Sequence, residues 1–211
     1  MKIKYVIPAR KNSKGLKFKN RMLFDDTFSK IPPSQYQNVI LTTDDEVLIE
    51  KVAHTKITTV RRSEDLSQDT TPIKSVMKDV VKQCKLDSNT AIVMLYLTYP
   101  ARPWVNVLQA TNLFAAQNAR SLLCAMPVKS HPYLCMYESP GHKGKQVVKH
   151  KLYRRQDYPK CFEISHFICI FKASELKRLN NNMYNKNTIF YNIPRVIDVD
   201  FAKDFTEWKN D

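Results

Sequence analysis

At 211 residues the chain fits one domain with a small arm, and it is long enough to bury about 70% of the surface its unfolded form exposes, so no disulfide or metal staple is required. With 43% hydrophobic and 26% charged residues it is not a disordered chain, and no apolar stretch approaches the roughly 20 residues of a membrane helix. The net charge of +14 favours anionic partners without choosing among nucleic acid, acidic lipid and phosphorylated small molecules, because the lysines are scattered rather than gathered in a run.

In chain order, Lys4 to Ala9 reads as a short strand, too brief in its apolar run for a signal peptide, which implies a cytoplasmic protein. Asn38 to Thr43 is a second strand. Asp45 to His54 is a helix, with Val47, Leu48, Val52 and Ala53 at helical spacing. Ile57 to Val60 is a strand, and Thr71 to Cys84 a helix with Thr70 or Thr71 as N-cap and Pro72 at its first position. Ala91 to Leu97 is continuously apolar, as a strand covered on both faces should be.

Trp104 to Gln117 follows as a helix and Ser121 to Val128 as a strand. Pro140, Gly141 and Gly144 mark a turn within Ser139 to Lys145. Phe162 to Phe171 is β-prone, Ala173 to Leu179 a short helix, Val196 to Val199 a last strand and Phe201 to Trp208 a terminal helix. The alternation predicts a mostly parallel, three-layer α/β sheet, with ligands at the carboxyl ends of the strands.

The five cysteines are odd in number and form no CxxC, which suits free thiols in a reducing compartment. Cys161, His166 and Cys169 offer three metal ligands at irregular spacing within one strand, and they read as core packing.

The loop after the first strand holds Arg10, Lys11, Lys14, Lys17, Lys19 and a glycine, Gly15. It is neither a Walker loop nor a dinucleotide fingerprint. Its cations and backbone N–H groups nonetheless suit a triphosphate, which carries about four negative charges.

The pattern from Ala9 to Asn20 resembles the IPARGGSKGIPxKN signature of the acylneuraminate cytidylyltransferases, the CMP-sugar synthetases. Arg10, Ser13, Lys14, Gly15, Lys19 and Asn20 are kept. Five further segments resemble the family in order: Thr42 to Asp45 (STDD), Arg62 to Asp69 (RPxELAxD), Leu95 to Arg102 (LQPTSPLR), Tyr153 to Pro159 (RRQDxP) and Asp198 to Asp200 (DID). The resemblance implies a single Rossmann-like nucleotidyltransferase domain over residues 1–211, with a dimerisation arm around 134–152. It also implies CTP and an acidic sugar as substrates, Mg²⁺ as cofactor and a homodimer.

It further implies roles. Arg10, Ser13, Lys14, Gly15 and Lys19 would hold the triphosphate, Asn20 would help read the cytosine, and Arg62 would lie near the base or phosphates. Arg154, Arg155 and Gln156 would meet the sugar, together with Tyr96, Thr98, Arg102 and His166. Arg10, Lys14, Lys19 and Arg155 would stabilise charge during transfer, with Asp198 and Asp200 on the metal.

The departures fall mostly in the acceptor half. Tyr96 replaces a glutamine and Tyr99 a small residue, while Ser165 and His166 replace asparagine and glycine. Asn12 takes the place of a glycine, a position asparagine tolerates better than other side chains. Arg21 to Gln37 looks shortened, with Ile31-Pro32-Pro33 breaking any long helix and weakening the floor of the nucleotide pocket. These departures imply an acceptor other than ordinary sialic acid. They leave open a catalytically silent relative, and a cytidylyltransferase for another acceptor such as 3-deoxy-octulosonate or an alcohol phosphate. A nucleic-acid-binding protein is disfavoured, because no RNP-type motif, zinc finger or recognition helix occurs.

Overall fold

The computed structural model describes residues 1–210. The elements in chain order are β1 (Ile3–Ala9), α1 (Lys19–Phe28), β2 (Val39–Thr43), α2 (Glu46–Val52), β3 (Thr58–Arg61), α3 (Ile73–Gln83), β4 (Ala91–Met94), α4 (Trp104–Ala116), β5 (Ser121–Pro127), β6 (Met136–Ser139), β7 (Lys143–Gln146), β8 (Phe162–Lys172), β9 (Ile189–Asn192) and α5 (Ala202–Asn210). Seven strands form one sheet in the order β3-β2-β1-β4-β8-β5-β9, and β8 alone runs antiparallel to its neighbours.

Strand periodicity builds the layers. Along β1, Tyr5, Ile7 and Ala9 point into one core and Val6 into the other; β4 does the same with Ala91 and Val93 against Ile92 and Met94. The first core takes Leu23 and Phe24 of α1, Leu48 and Val52 of α2, and Val107, Ala110 and Phe114 of α4. The second takes Val76, Met77 and Val80 of α3, with Leu176 and Leu179. This is the expected three-layer, mostly parallel Rossmann-like α/β sheet. No helix among the described residues is long and apolar enough to cross a membrane.

The differences from expectation are local. No strand forms over Val196–Val199. That segment runs extended past the end of the sheet, with Val199 N–H donating to the Thr98 carbonyl at 2.9 Å. The last strand is instead β9, whose asparagine-rich flanks hid its pairing with β5. The segment from Ala173 is a 3-10 turn. A ten-residue helix, α1, does follow Lys19, so the floor of the first-strand site is intact. Pro32 and Pro33 only end the connection after it, in a 3-10 turn from Pro33 to Asn38.

Strand β8 carries a bulge. Its pairing with β5 jumps from Leu123–Cys169 to Cys124–Ser165, leaving residues 166–168 out of the ladder. Bulges re-aim side chains next to sites, and this one lies at the carboxyl end of β4.

Candidate functional site

The loop between β1 and α1 is braced from three sides. Asp44, just after β2, accepts the Lys11 N–H at 2.8 Å. The Asn20 amide donates to the Arg10 carbonyl at 2.7 Å, and the Thr43 hydroxyl donates to the Ala9 carbonyl. Asp45 turns the other way, capping α2 through the Val47 N–H at 3.1 Å and binding Arg21 at 2.6 Å. At the entrance to α1, Phe18 is held at φ 54°, the left-handed region that a bulky side chain adopts only under constraint, between Lys17 and Lys19. Gly15 lies against the chain at Asp200. A Cβ there would stand 2.3 Å from the Asp200 carbonyl oxygen and 3.1 Å from the Phe201 ring. This glycine is required by close approach, and the approach joins the loop after β1 to the end of the extended 196–200 segment.

The cations of this loop are matched by carboxylates. Arg10 pairs with Asp69, which also takes Lys14 at 3.2 Å. Burial pushes the Asp69 carboxyl up, but the Lys14 hydrogen bond and the Arg10 charge outweigh it and hold the group below its usual range. Lys19, its side chain 12% exposed, pairs with Asp200. A cleft of about 460 Å³ opens here, lined by Arg10, Asn12, Ser13 and Lys14 on one wall and by Glu64, Gln68 and Asp69 on the other.

A second cavity of about 220 Å³ continues beneath it, lined by Pro8, Arg10, Arg62, Gln68 and Tyr96 among others. Arg62 is almost completely buried. Its Nε donates to the Thr42 hydroxyl at 3.2 Å, and its Nη2 has no hydrogen-bond partner. Burial lowers its pKa to about 10, so it stays charged at neutral pH. A buried, unpaired guanidinium N–H is costly, and this one belongs to a residue that lines the cavity. Tyr96, expected on the sugar side, lies on this wall with its ring edge-on to His166 at 5.8 Å.

On the other side of the 196–200 segment lies a cavity of about 750 Å³, bounded by Tyr99, Lys129, Glu163, Ser165, Asp198 and Glu207 among others. Tyr99 donates to Asp198 Oδ2 at 2.7 Å, and Ser165 donates to the Tyr99 oxygen at 3.3 Å. Two of the departures from the family pattern are therefore one unit. Burial, above all, raises the Asp198 carboxyl, with Asp200 adding to it against the hydrogen bonds of Thr98 and Tyr99 and the charge of Lys19.

Not every expected site residue joins these cavities. Arg102 is buried, with Nη1 donating to the Phe167 carbonyl at 2.7 Å and Nη2 to the Tyr96 carbonyl at 3.1 Å. It satisfies a carbonyl freed by the β8 bulge, so it is a brace rather than a sugar ligand. Arg154 is bidentate to Asp157 at 2.8 and 2.9 Å; with Arg155 and Gln156 it lies exposed on a surface turn that lines none of the cavities above. His166 bonds the Asn182 carbonyl at 3.1 Å. Thr98 contributes its carbonyl to Val199 and its side chain to Asp198. The sequence pattern gave Asp69 no role, although it ends the Arg62 to Asp69 segment; its charge complementarity to Arg10 and Lys14 was the available signal.

Among the described residues no group of three His, Cys, Asp or Glu side chains could hold a metal. Mg²⁺ commonly takes one or two carboxylates, several waters and substrate phosphates. Asp198 and Asp200, beside the loop cations, fit that donor set and do not fit an all-protein cage.

The protein is an α/β chain with a cation-lined cleft at the strand ends and one strand, β8, that runs against its neighbours. No protein-family model matches the chain. The chain is 27% identical over 216 residues to the post-translational flagellin modification protein B of Campylobacter coli, covering 94% of this chain and 90% of that protein. It is 26% identical over 212 residues to the N-acylneuraminate cytidylyltransferase of Streptococcus agalactiae, covering 95% of this chain but only about half, 51%, of that enzyme. The solved structure of CMP:2-keto-3-deoxy-manno-octonic acid synthetase complexed with CTP has the same fold, with a TM-score of 0.69 over all of this chain and 98% of that one at 12% identity. In sequence the chain is thus similar to the N-acylneuraminate cytidylyltransferases.

Gly15→Ala must push the Asp200 backbone away. Destabilisation of about 1–3 kcal/mol is expected from such overpacking. Urea denaturation checks it, and an unchanged midpoint would contradict the close approach.

Proposed function

We propose that this protein is a cytoplasmic cytidylyltransferase that transfers CMP from CTP to an acidic sugar and releases pyrophosphate. One observation carries the reading: the basic loop after β1 meets the Asp198–Asp200 segment at the carboxyl end of the sheet, where Lys19 pairs with Asp200 and Gly15 packs against its backbone, beside the cleft that Arg10 and Lys14 line. Arg10 and Lys14 exchange Asp69, and Lys19 exchanges Asp200, for triphosphate oxygens. The unpaired Nη2 of Arg62 finds its acceptor on the nucleotide. Asp198 and Asp200 would hold Mg²⁺, which would add charge neutralisation at the phosphates.

The acceptor enters from the Tyr99–Ser165 side. Its anomeric hydroxyl forms a bond to the α-phosphorus as the bond to pyrophosphate breaks, with no covalent enzyme intermediate. The residues contribute position and charge, the main needs of such a transfer. Tyr99 and Ser165 reshape this side, so the acceptor differs from ordinary sialic acid.

Pyrophosphate release from CTP with Mg²⁺ and a panel of 2-keto-3-deoxy sugars tests the reading. Arg10→Ala should lower kcat/KM about 100-fold, the scale for removing one charge-stabilising donor. CTP binding without release for any acceptor would favour a catalytically silent relative, and neither binding nor release would overturn the reading.

The arm is part of this proposal. Strands β6 and β7 pair as an antiparallel hairpin around Gly141 and His142, both at positive φ. A two-stranded hairpin is marginal in water by itself, and Leu134, Met136, Tyr137 and Tyr153 are exposed on and beside it. A second copy covering the arm accounts for both facts. Light scattering should give a dimer, and Met136→Asp with Tyr137→Asp should give a monomer; a wild-type monomer at micromolar concentration contradicts this.

A further inference from the structure

Asp198 lies on an extended segment outside the sheet, anchored by one backbone bond, from Val199 N–H to the Thr98 carbonyl. Nothing in the backbone ladder fixes its carboxylate. The side chains around it do. The Phe167 N–H, released by the β8 bulge, donates to the Ser165 oxygen at 3.2 Å. The Ser165 hydroxyl donates to the Tyr99 oxygen at 3.3 Å, and Tyr99 donates to Asp198 Oδ2 at 2.7 Å. All three bonds point the same way, and aligned hydrogen bonds reinforce one another in a low-dielectric surrounding.

The ring that carries the hydroxyl is itself fixed. Tyr99 is 5% exposed and sits edge-on to Phe167, with centroids 5.5 Å apart at 86°. Arg102 holds the Phe167 carbonyl from behind, so the bulge, the ring and the carboxylate form one braced unit. The buried Ser165 hydroxyl has both its donor and its acceptor needs met here; removing the Tyr99 hydroxyl leaves the serine without its acceptor, and removing the serine leaves the Phe167 N–H without its own.

We propose that Tyr99, supported by Ser165, is a positioning residue that sets the Asp198 carboxylate for a divalent cation shared with the bound nucleotide. This rests on the nucleotide-site reading above. Carboxylates that ligate metals are themselves oriented by hydrogen bonds, and losing such a partner commonly costs about 10- to 100-fold in metal affinity.

The test measures Mn²⁺ binding to the full chain in the presence of CTP, by the free-Mn²⁺ electron paramagnetic resonance signal, for wild type, Tyr99→Phe and Ser165→Ala. Tyr99→Phe keeps the ring and its contact with Phe167. The expected result is a Mn²⁺ dissociation constant raised about tenfold or more in Tyr99→Phe and less in Ser165→Ala, with CTP affinity in the absence of metal unchanged. Wild-type Mn²⁺ affinity in Tyr99→Phe overturns the proposal, because a space-filling tyrosine needs no hydroxyl. A wild-type protein that binds CTP but no Mn²⁺ also overturns it while leaving the nucleotide site standing. Failure to bind CTP at all removes the nucleotide reading, and this proposal with it.

Discussion

The structure depends on one close approach. The loop after β1 and the segment ending at Asp200 meet so tightly that only glycine fits at position 15. Because of that contact, residues some 180 positions apart in the chain share one rim, and Lys19 reaches Asp200. Without it the basic loop would be one more charged surface on a chain of net charge +14. With it, the cations lie opposite carboxylates at the end of the sheet where α/β folds place their ligands.

The electrostatics follow from that geometry. A loop holding Arg10, Lys14 and Lys19 with no counter-charge would repel itself. Asp69 and Asp200 supply the balance in the protein alone. Asp69 lines the cleft and both carboxylates are partly exposed, so their ion pairs can open without breaking into the core. Arg62 differs: its Nη2 is buried and has no partner, so it is arranged for something that arrives.

The sheet was legible because its strands are simple. Continuous apolar runs such as Ala91 to Met94, and the alternation of Tyr5, Val6 and Ile7 between two cores, follow from strand periodicity. The basic loop was legible as charge in a predicted strand-end turn. Strand β9 was not, because Asn187 and Asn192 dilute a short β-prone run and its pairing with β5 is tertiary. Val196 to Val199 looked like that strand because it is apolar, yet its apolar side chains serve to pin an extended segment against the sheet end. Arg102 read as a ligand because a charged residue in a quoted pattern invites a functional role. Only the β8 bulge, invisible in sequence, shows that backbone carbonyls claim it.

The acceptor half shows the same limit differently. Tyr99 and Ser165 stood out in the sequence as separate departures, and their coupling exists only in three dimensions. It leaves the nucleotide half and the acceptor half meeting at Asp198. The central claim, that the β1 loop and the Asp198–Asp200 segment grip one nucleotide, is tested most directly by a crystal structure with CTP bound. The account predicts triphosphate density between Lys19 and Asp200, with Asp69 released from Arg10 and Lys14. Density at the Arg154–Arg155 turn, with the three ion pairs of the loop undisturbed, would contradict it.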